Sequence, residues 1–454
     1  MTAAEVIAVV DRLKLMPPVG FYFGMVMLVP IVQTTYIFSQ AMPICLGLLV
    51  VAGAFEVRST ASLLGATRAP LFCAAIAFAA YAMLSCLWSP AVADTLIKGA
   101  GFGAVAVAAL VGAQLARLAG TPSFAIPAKG IVAGLAAAMV YVSVETATDQ
   151  WITRTAMTYW PSLQLRFVGK HISVVDNIVV FVSDGFMNRP TAVVSLLLFP
   201  GWLVARATLA KGLQWTYAVL SALFIALVLA KSRHQSSQLA ILAGGTIAVL
   251  AATQYRAAWR LVLTAWCLAV LSFPLVAVGL HKAGLHNADW LFTSARARVV
   301  IWKTTVDRIG AHPILGAGAA ATELNVRSDR MRAAGEIIEK GPFDPNEHWG
   351  GRHAHNIYLQ TWFELGLVGV LLLLQAGLSV LTSVNKLDSA IRPWALGGFA
   401  TVAAMLGFSY GLWQVWFLSA IAVAFVLSVF GIEGGNALVI ARQRNGAEHR
   451  MVSQ

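Results

Sequence analysis

Charged residues are scarce in this sequence, and their scarcity excludes a fold that faces water on all sides. Of the 454 residues, 11% are charged and 59% are apolar. Soluble domains carry about 25% charged residues, so this chain has too few to cover a hydrated surface. The composition therefore predicts that lipid surrounds most of the chain.

Residues typical of metal sites and disulfides are also scarce. The chain has four cysteines, all inside apolar stretches and without metal-ligand spacing. It contains no His-Glu-x-x-His motif and no Asp-x-Asp pair. These absences argue against a metal-dependent glycosyltransferase, and we expect neither a metal nor a cofactor.

Long apolar stretches are abundant and predict an all-α polytopic membrane protein. A membrane-spanning helix needs about 20 apolar residues. Twelve such stretches are centred near residues 26, 46, 79, 106, 136, 198, 222, 246, 269, 369, 401 and 421. The division between the last two is the least distinct, since Tyr410-Gly411 is the only turn signal there.

The spans divide the chain into three predicted regions. Residues 1–280 hold nine spans, preceded by a short interfacial helix at Thr2–Leu15. Residues 281–355 form a large outward loop with short helices. Residues 356–454 hold the last three spans and a cytoplasmic tail.

The distribution of Lys and Arg predicts the orientation. With a cytoplasmic N-terminus, every cytoplasmic segment holds at least two basic residues, whereas the short opposite loops near residues 35, 92 and 411 hold none. This is the positive-inside pattern, which is counted over short loops. We therefore expect a multi-pass inner-membrane protein with both termini in the cytoplasm. Two long outward loops, 149–189 and 281–355, are nevertheless basic, and long loops cross membranes regardless of charge.

A basic cluster closes the seventh predicted span. Lys231, Arg233 and His234 lie between two closely spaced spans, on the predicted outer face. Such residues can be anchors that reach from a helix end to the membrane surface. Because basic anchors are expected on the cytoplasmic side, the cluster also fits a binding site for an outward-facing anion.

A second cluster lies on a predicted amphipathic helix, Ser294–Gly310. Arg298 and Trp302 are four residues apart and therefore share one face of this helix. The arrangement fits docking on the membrane surface, and it also fits an anion site.

Two histidines lie where the large loop enters the tenth span. A neutral histidine at the mouth of a membrane cavity suits a general base near neutral pH. His353 and His355 are two residues apart, which is poor spacing for a shared metal. Either histidine could instead simply cap the span, and this structural role fits His353 better than His355.

Three stretches of the sequence resemble the O-antigen ligase (WaaL-type) and polymerase superfamily. His355-Asn356, nine residues, Gly366, two residues and Gly369 resemble its His-Asn-x9-Gly-x-x-Gly signature. Ser232-Arg233 closes a span in the position of its Ser-Arg motif. Arg298 to Trp302, followed by Pro313-Ile314-Leu315-Gly316-Ala317-Gly318, looks like its Arg-x-x-x-Trp and Pro-Leu-x-Gly-x-Gly stretch. The similarity covers roughly residues 215–375.

The resemblance implies transfer of a glycan from undecaprenyl diphosphate to an acceptor at the periplasmic face, without a metal and with inversion. Arg233 and Arg298 would bind the diphosphate, and His355 would deprotonate or align the acceptor hydroxyl. These three are the expected catalytic residues. The expected substrate-binding residues are Lys231, His234, Trp302, Arg352, His353, Asn356 and Gln360.

Ligation of O-antigen to lipid A–core is the preferred activity among those that the resemblance allows. The expected partners are an undecaprenyl-diphosphate-linked O-antigen donor, the lipid A–core acceptor and membrane lipids, with no nucleic acid. An O-antigen polymerase and a protein O-oligosaccharyltransferase are alternatives in the same superfamily. A lipid or polysaccharide transporter is the alternative from another class, although mid-span positions are nearly free of the charges that it needs.

Overall fold

The computed structural model describes residues 41–56, 70–118, 125–164, 171–322 and 353–452. The predicted interfacial helix Thr2–Leu15, the span near residue 26 and the candidate Arg352 lie outside the described residues.

The described residues are almost entirely helical. The first helices are α1 Ala41–Glu56, α2 Pro70–Leu84, α3 Val92–Leu118, α4 Ala125–Ala147, α5 Trp151–Tyr159, α6 Gly185–Thr208 and α7 Lys211–Lys231. They are followed by α8 Gln235–Lys282, α9 Thr293–Ile309, α10 Ile357–Asn385, α11 Arg392–Phe408 and α12 Val415–Val452.

The helices confirm an all-α polytopic membrane protein. Each predicted span centre among the described residues falls inside a helix. Eight helices in the described ranges are long and apolar enough to cross a membrane. Helix α8 contains two of the predicted spans, with a break at Gln254 (φ −135°, ψ 63°). The end of α11 at Phe408 and the start of α12 at Val415 confirm the division near Tyr410-Gly411.

The predicted loop 149–189 contains a small β-hairpin that the all-α prediction did not include. Strands β1 Ile172–Val175 and β2 Ile178–Val182 pair antiparallel. Both turn residues, Asp176 and Asn177, have positive φ angles of 47° and 63°, as a two-residue hairpin turn of the favoured type requires. One face of the hairpin packs on Met157 of α5 and Phe186 of α6, and these residues are buried.

The chain forms two compact units. The first takes the described residues of Met1–Leu63, Ala108–Gly245 and Ser419–Gln454, and within it α4 packs against α6 and α7. The second takes those of Leu64–Val107 and Thr246–Leu418. In this unit, α10 packs against α2, α9 and α11. Helix α10 is therefore the element around which the histidines and Arg298 are arranged.

Candidate active site

Helix α9 fixes the backbone that carries the two histidines. Its residues Val299 and Trp302 are buried, as expected for the apolar face of an amphipathic helix. Trp302 packs edge-on against Phe273, with 5.2 Å between ring centroids. The indole Nε1 donates a 3.0 Å hydrogen bond to the carbonyl oxygen of Ala354, the residue between the histidines. The predicted helix Ser294–Gly310 is confirmed within one residue at each end.

Asn356 begins helix α10 directly after His355. Its Oδ1 accepts a 2.9 Å hydrogen bond from the backbone N–H of Leu359, which makes Asn356 the N-cap. Its Nδ2 donates a 2.8 Å hydrogen bond to the carbonyl oxygen of Gly407. An N-cap side chain stabilises a helix by about 0.5–2 kcal/mol. Because the buried amide is bonded at both ends, these contacts support a positioning role for Asn356 rather than contact with substrate.

The His355 ring is held in one tautomer. Its Nδ1 lies 2.9 Å from the carbonyl oxygen of Ser409. A carbonyl oxygen can only accept, so Nδ1 carries the proton and Nε2 of the neutral ring presents a lone pair. Within the described residues, Nε2 has no hydrogen-bond partner. Burial and the nearby charge of Arg298 lower the pKa of His355, against the opposing effect of the Ser409 carbonyl. The ring is therefore a neutral base at neutral pH.

His353 lies beside His355 and is bonded at both ring nitrogens. The ring centroids are 4.1 Å apart. Nδ1 of His353 accepts a 3.2 Å hydrogen bond from the backbone N–H of His355, and Nε2 lies 2.8 Å from the side-chain amide of Gln414. Burial, together with His355 and Arg298, lowers the pKa of His353 to about 3. Among the described residues, no set of three ligand-type side chains could hold a metal here.

Arg298 of helix α9 is half-buried, and its positive charge acts on both histidines. Burial lowers the pKa of Arg298, and Tyr410 acts in the opposite direction. No carboxylate pairs with it in the described part of the chain. Other cations of α9 have acidic partners: Arg296 pairs with Asp289 at 3.1 Å and Lys303 with Asp307 at 2.6 Å. A half-buried guanidinium without an acidic partner is suited to bind an anion from outside the protein.

The Ser-Arg cluster lies in the first compact unit, at the end of α7. The Arg233 side chain is 80% exposed, and its Nε lies 3.1 Å from Oδ2 of Asp184. Lys231 is also exposed. His234 is buried, and its Nδ1 lies 2.7 Å from the hydroxyl of Ser237. An exposed ion pair contributes about 0–1 kcal/mol, so another anion could replace Asp184 at small cost.

Comparison with known proteins shows which family this region is similar to. Residues 218–374 match the sequence model of the O-antigen ligase family. A protein of Rickettsia felis provisionally named a polysaccharide ligase is 27% identical over 231 residues, which are 50% of this chain and 54% of that protein. A Rickettsia conorii protein with the same provisional name is 22% identical over 348 residues, 76% of this chain and 75% of that protein. The aligned part thus covers about half of the first relative's length and three quarters of the second's.

Residues 218–374 are therefore similar to the O-antigen ligase family. The matched range contains the Ser-Arg motif, the Arg298–Trp302 stretch and the His355-Asn356 signature. Of the residues predicted for the site, the second compact unit brings Arg298, Trp302 and both histidines together. Gln360 lies near the start of α10 and is buried. Its Nε2 donates a 3.1 Å hydrogen bond to Glu364 Oε1, and its Oε1 accepts a 2.8 Å hydrogen bond from Leu412 N–H.

Two glycines of the motif stretches, Gly366 and Gly316, lie where α10 meets the turn after α9. Gly366 has φ +58° and interrupts the helical backbone of α10. At this break, the backbone N–H of Leu367 donates a 3.0 Å hydrogen bond to the carbonyl of Pro313, and that of Gly318 donates a 2.9 Å bond to the carbonyl of Glu364. A Cβ at Gly316 would collide with the Glu364 backbone, and one at Gly366 with that of Ile314. Gly366 and Gly316 are thus required by a close backbone approach, not by a ligand.

Glu364, in the matched range, anchors several segments around the candidate site, and it was not among the residues predicted for the site. The side chain is fully buried. Its carboxylate accepts hydrogen bonds from the backbone N–H groups of Ala320 (3.0 Å) and Thr322 (3.1 Å), and from the side chains of Gln360 and Trp413. A lone acidic residue in a long apolar run was the available signal, because such a charge needs internal partners.

Proposed function

We propose that the protein is an O-antigen ligase that transfers a glycan from undecaprenyl diphosphate to lipid A–core at the periplasmic face of the inner membrane. An acceptor hydroxyl oxygen attacks the anomeric carbon, and the bond from that carbon to the diphosphate oxygen breaks. The acceptor proton passes to His355, and undecaprenyl diphosphate leaves with its negative charge. The reaction inverts the anomeric centre and forms no covalent intermediate with the enzyme.

The observation that carries this proposal is the half-buried Arg298 guanidinium, which has no acidic partner among the described residues. Negative charge grows on the diphosphate as the glycosidic bond breaks. Arginine stays protonated and binds phosphate oxygens through two parallel N–H donors. A fixed cation at this point therefore stabilises the transition state more than the ground state.

His355 supplies the second part of the chemistry. Its Nε2 lone pair can accept the proton of an acceptor hydroxyl, since Nδ1–H is committed to the Ser409 carbonyl. The nearby positive charge of Arg298 favours the neutral ring. The proposed phosphate ligand Arg298 thus also helps the proposed base, because its positive charge keeps His355 unprotonated. The role of Arg233 remains a prediction from its motif.

Reconstitution tests the proposal. The purified protein is placed in liposomes with an undecaprenyl-diphosphate-linked glycan and lipid A–core, and the products are separated on a gel. We expect the wild-type protein to convert lipid A–core into a glycan-bearing species, and His355→Ala to lower the rate by about 10²–10⁴-fold, the usual contribution of a general base.

The products distinguish ligation from its alternatives. Longer glycans still attached to undecaprenyl diphosphate would identify a polymerase and overturn the proposal. Normal transfer by His355→Ala, with the folded fraction checked by size-exclusion chromatography, would remove His355 from the catalytic role. Transfer that persists in EDTA is the expected result for a reaction without a metal ion, and loss restored by divalent cations would contradict that part.

A further inference from the structure

We infer that His353 is a positioning residue that fixes the backbone of His355 through its Nδ1, and that it does not touch the substrate. The inference rests on the proposed function, because it concerns the orientation of the proposed base. It also changes the role predicted for His353 from the sequence, which was substrate binding.

The His355 backbone is in an unusual conformation that needs support. Its φ is +51°, in the left-handed region that side chains with a Cβ rarely adopt. The residue leads directly into helix α10, so its φ and ψ angles decide where the imidazole points. The hydrogen bond from His355 N–H to Nδ1 of His353 closes a turn of two residues around this conformation. Asparagine and aspartate form the same turn with a side-chain oxygen.

The surroundings of His353 commit its ring to this role. Because Nδ1 accepts from His355 N–H, the proton of the neutral ring is on Nε2. The Gln414 side-chain nitrogen lies 2.8 Å from Nε2, and Gln414 Oε1 is buried without a hydrogen-bond partner among the described residues. An amide's oxygen and nitrogen are assigned from the hydrogen-bond network, and this tautomer requires the exchanged amide, with Oε1 accepting the Nε2 proton. Both ring nitrogens are then occupied by protein groups. Neither is left to bind a sugar hydroxyl or to accept a proton from one.

Close packing holds the His353 ring in place. A Cβ added at Gly411 would lie 2.7 Å from His353 Cβ and 2.8 Å from His353 Cγ. The chain at Gly411 can approach this closely only because glycine has no side chain. The adjacent Leu412 N–H is bonded to Gln360, so the segment that packs on His353 is itself anchored to α10. His353 thus connects the anchored segment to the His355 backbone.

Three substitutions at one position separate positioning from substrate binding. The Oδ1 of asparagine lies where histidine has Nδ1, so His353→Asn keeps the acceptor for His355 N–H. The Oε1 of glutamine lies one bond farther out, so His353→Gln keeps the amide chemistry but moves the acceptor. His353→Ala removes the acceptor altogether.

We expect His353→Asn to keep kcat within about fivefold of wild type. His353→Gln and His353→Ala should lower kcat by about 10–100-fold, because a small displacement of a reacting group can lower the rate by up to about 100-fold. The KM for the undecaprenyl-diphosphate-linked donor should stay within about twofold in all three, since the binding groups are unchanged. Activity as low in His353→Asn as in His353→Gln would overturn the inference. So would a raised KM with an unchanged kcat, which is the pattern of a substrate contact.

A measurement that does not need transfer separates this inference from the proposed function. The exchange rate of the His355 backbone amide is measured by NMR on protein labelled with 15N-histidine in micelles. Slow exchange in wild type and His353→Asn, with faster exchange in His353→Gln, supports positioning even if the protein turns out to catalyse another reaction. Equal rates in the two variants would refute positioning even if wild-type transfer is active.

Discussion

Arg233 and Arg298 were predicted for the same task, yet the structure gives them different surroundings. Arg233 is 80% exposed and already pairs with Asp184. Arg298 is half-buried beside two neutral histidines, with no carboxylate paired to it in the described residues. Each lies in its own compact unit, so each is judged by its local environment.

The difference shows that a guanidinium's environment determines how strongly it can act on a phosphate. Around an exposed charge, water and salt screen the attraction, and typical exposed pairs are worth about 0–1 kcal/mol. In partly buried surroundings, the same charge interacts more strongly. Among the described residues, no carboxylate pairs with Arg298, so there an incoming anion has none to displace. Arg298 should therefore contribute to the rate of transfer, and Arg233 mainly to binding.

The largest effect is expected at Arg298. Arg298→Ala should lower kcat by about 10²–10³-fold. In other enzymes, the loss of one fixed hydrogen-bond donor to a developing negative charge lowers kcat by about this factor. Lysine keeps the charge but loses the paired N–H donors, so Arg298→Lys should recover only part of the rate. The measurement is the initial rate of transfer in liposomes at saturating donor.

Helix α9 offers a matched control for that substitution. Arg296 lies two residues away and pairs with Asp289, whose side chain is 99% exposed. Arg296→Ala should therefore keep kcat within about twofold, since an ion pair with a fully exposed partner contributes little. An equal fall in kcat in Arg296→Ala and Arg298→Ala would mean that the overall positive charge of α9 determines the rate. That result would contradict the proposal that Arg298 itself binds the diphosphate.

A smaller effect is expected at Arg233. Arg233→Ala should raise the donor KM by about fivefold, which corresponds to about 1 kcal/mol, with little change in kcat. Asp184→Asn is the informative partner variant, because it removes the anion that competes for Arg233. We expect its donor KM to stay unchanged or fall. A fall in kcat in Arg233→Ala as large as that in Arg298→Ala would contradict this prediction. It would show that Arg233 acts in the transfer step, not mainly in donor binding.

Hydropathy and charge predicted the elements of this fold well, because a membrane-spanning helix must satisfy all its backbone hydrogen bonds internally and so has a strong local signal. The amphipathic helix α9 was predicted within one residue at each end from a different local signal, the helical spacing of its apolar residues. The β-hairpin at Ile172–Val182 was missed. Its strands are short, and their pairing depends on contacts with α5 and α6 that local sequence does not encode.

The candidate site was predictable in its residues but not in their roles. Motif similarity pointed to Arg298 and His355. Nothing in the sequence reveals that the side chains of Asn356 and Gln360 form their hydrogen bonds with other protein groups. The role of Glu364 was hidden in the same way, because its donors come from residues far apart in the chain. Roles depend on which partners a side chain meets, and those partners are set by tertiary packing.

The smallest expected effect is the dependence of transfer on pH. The pKa of His355 is lowered from 6.5 by burial and by Arg298. A lowered pKa keeps the ring neutral as the pH falls to 6.5, so kcat at pH 6.5 should lie within about twofold of kcat at pH 7.5. Removing the positive charge should raise the pKa of His355, and the residual activity of Arg298→Gln should then decline more steeply over this range. Arg296→Ala should keep the wild-type profile. A wild-type rate that already falls with a midpoint above pH 6.5 would contradict a neutral base held next to Arg298.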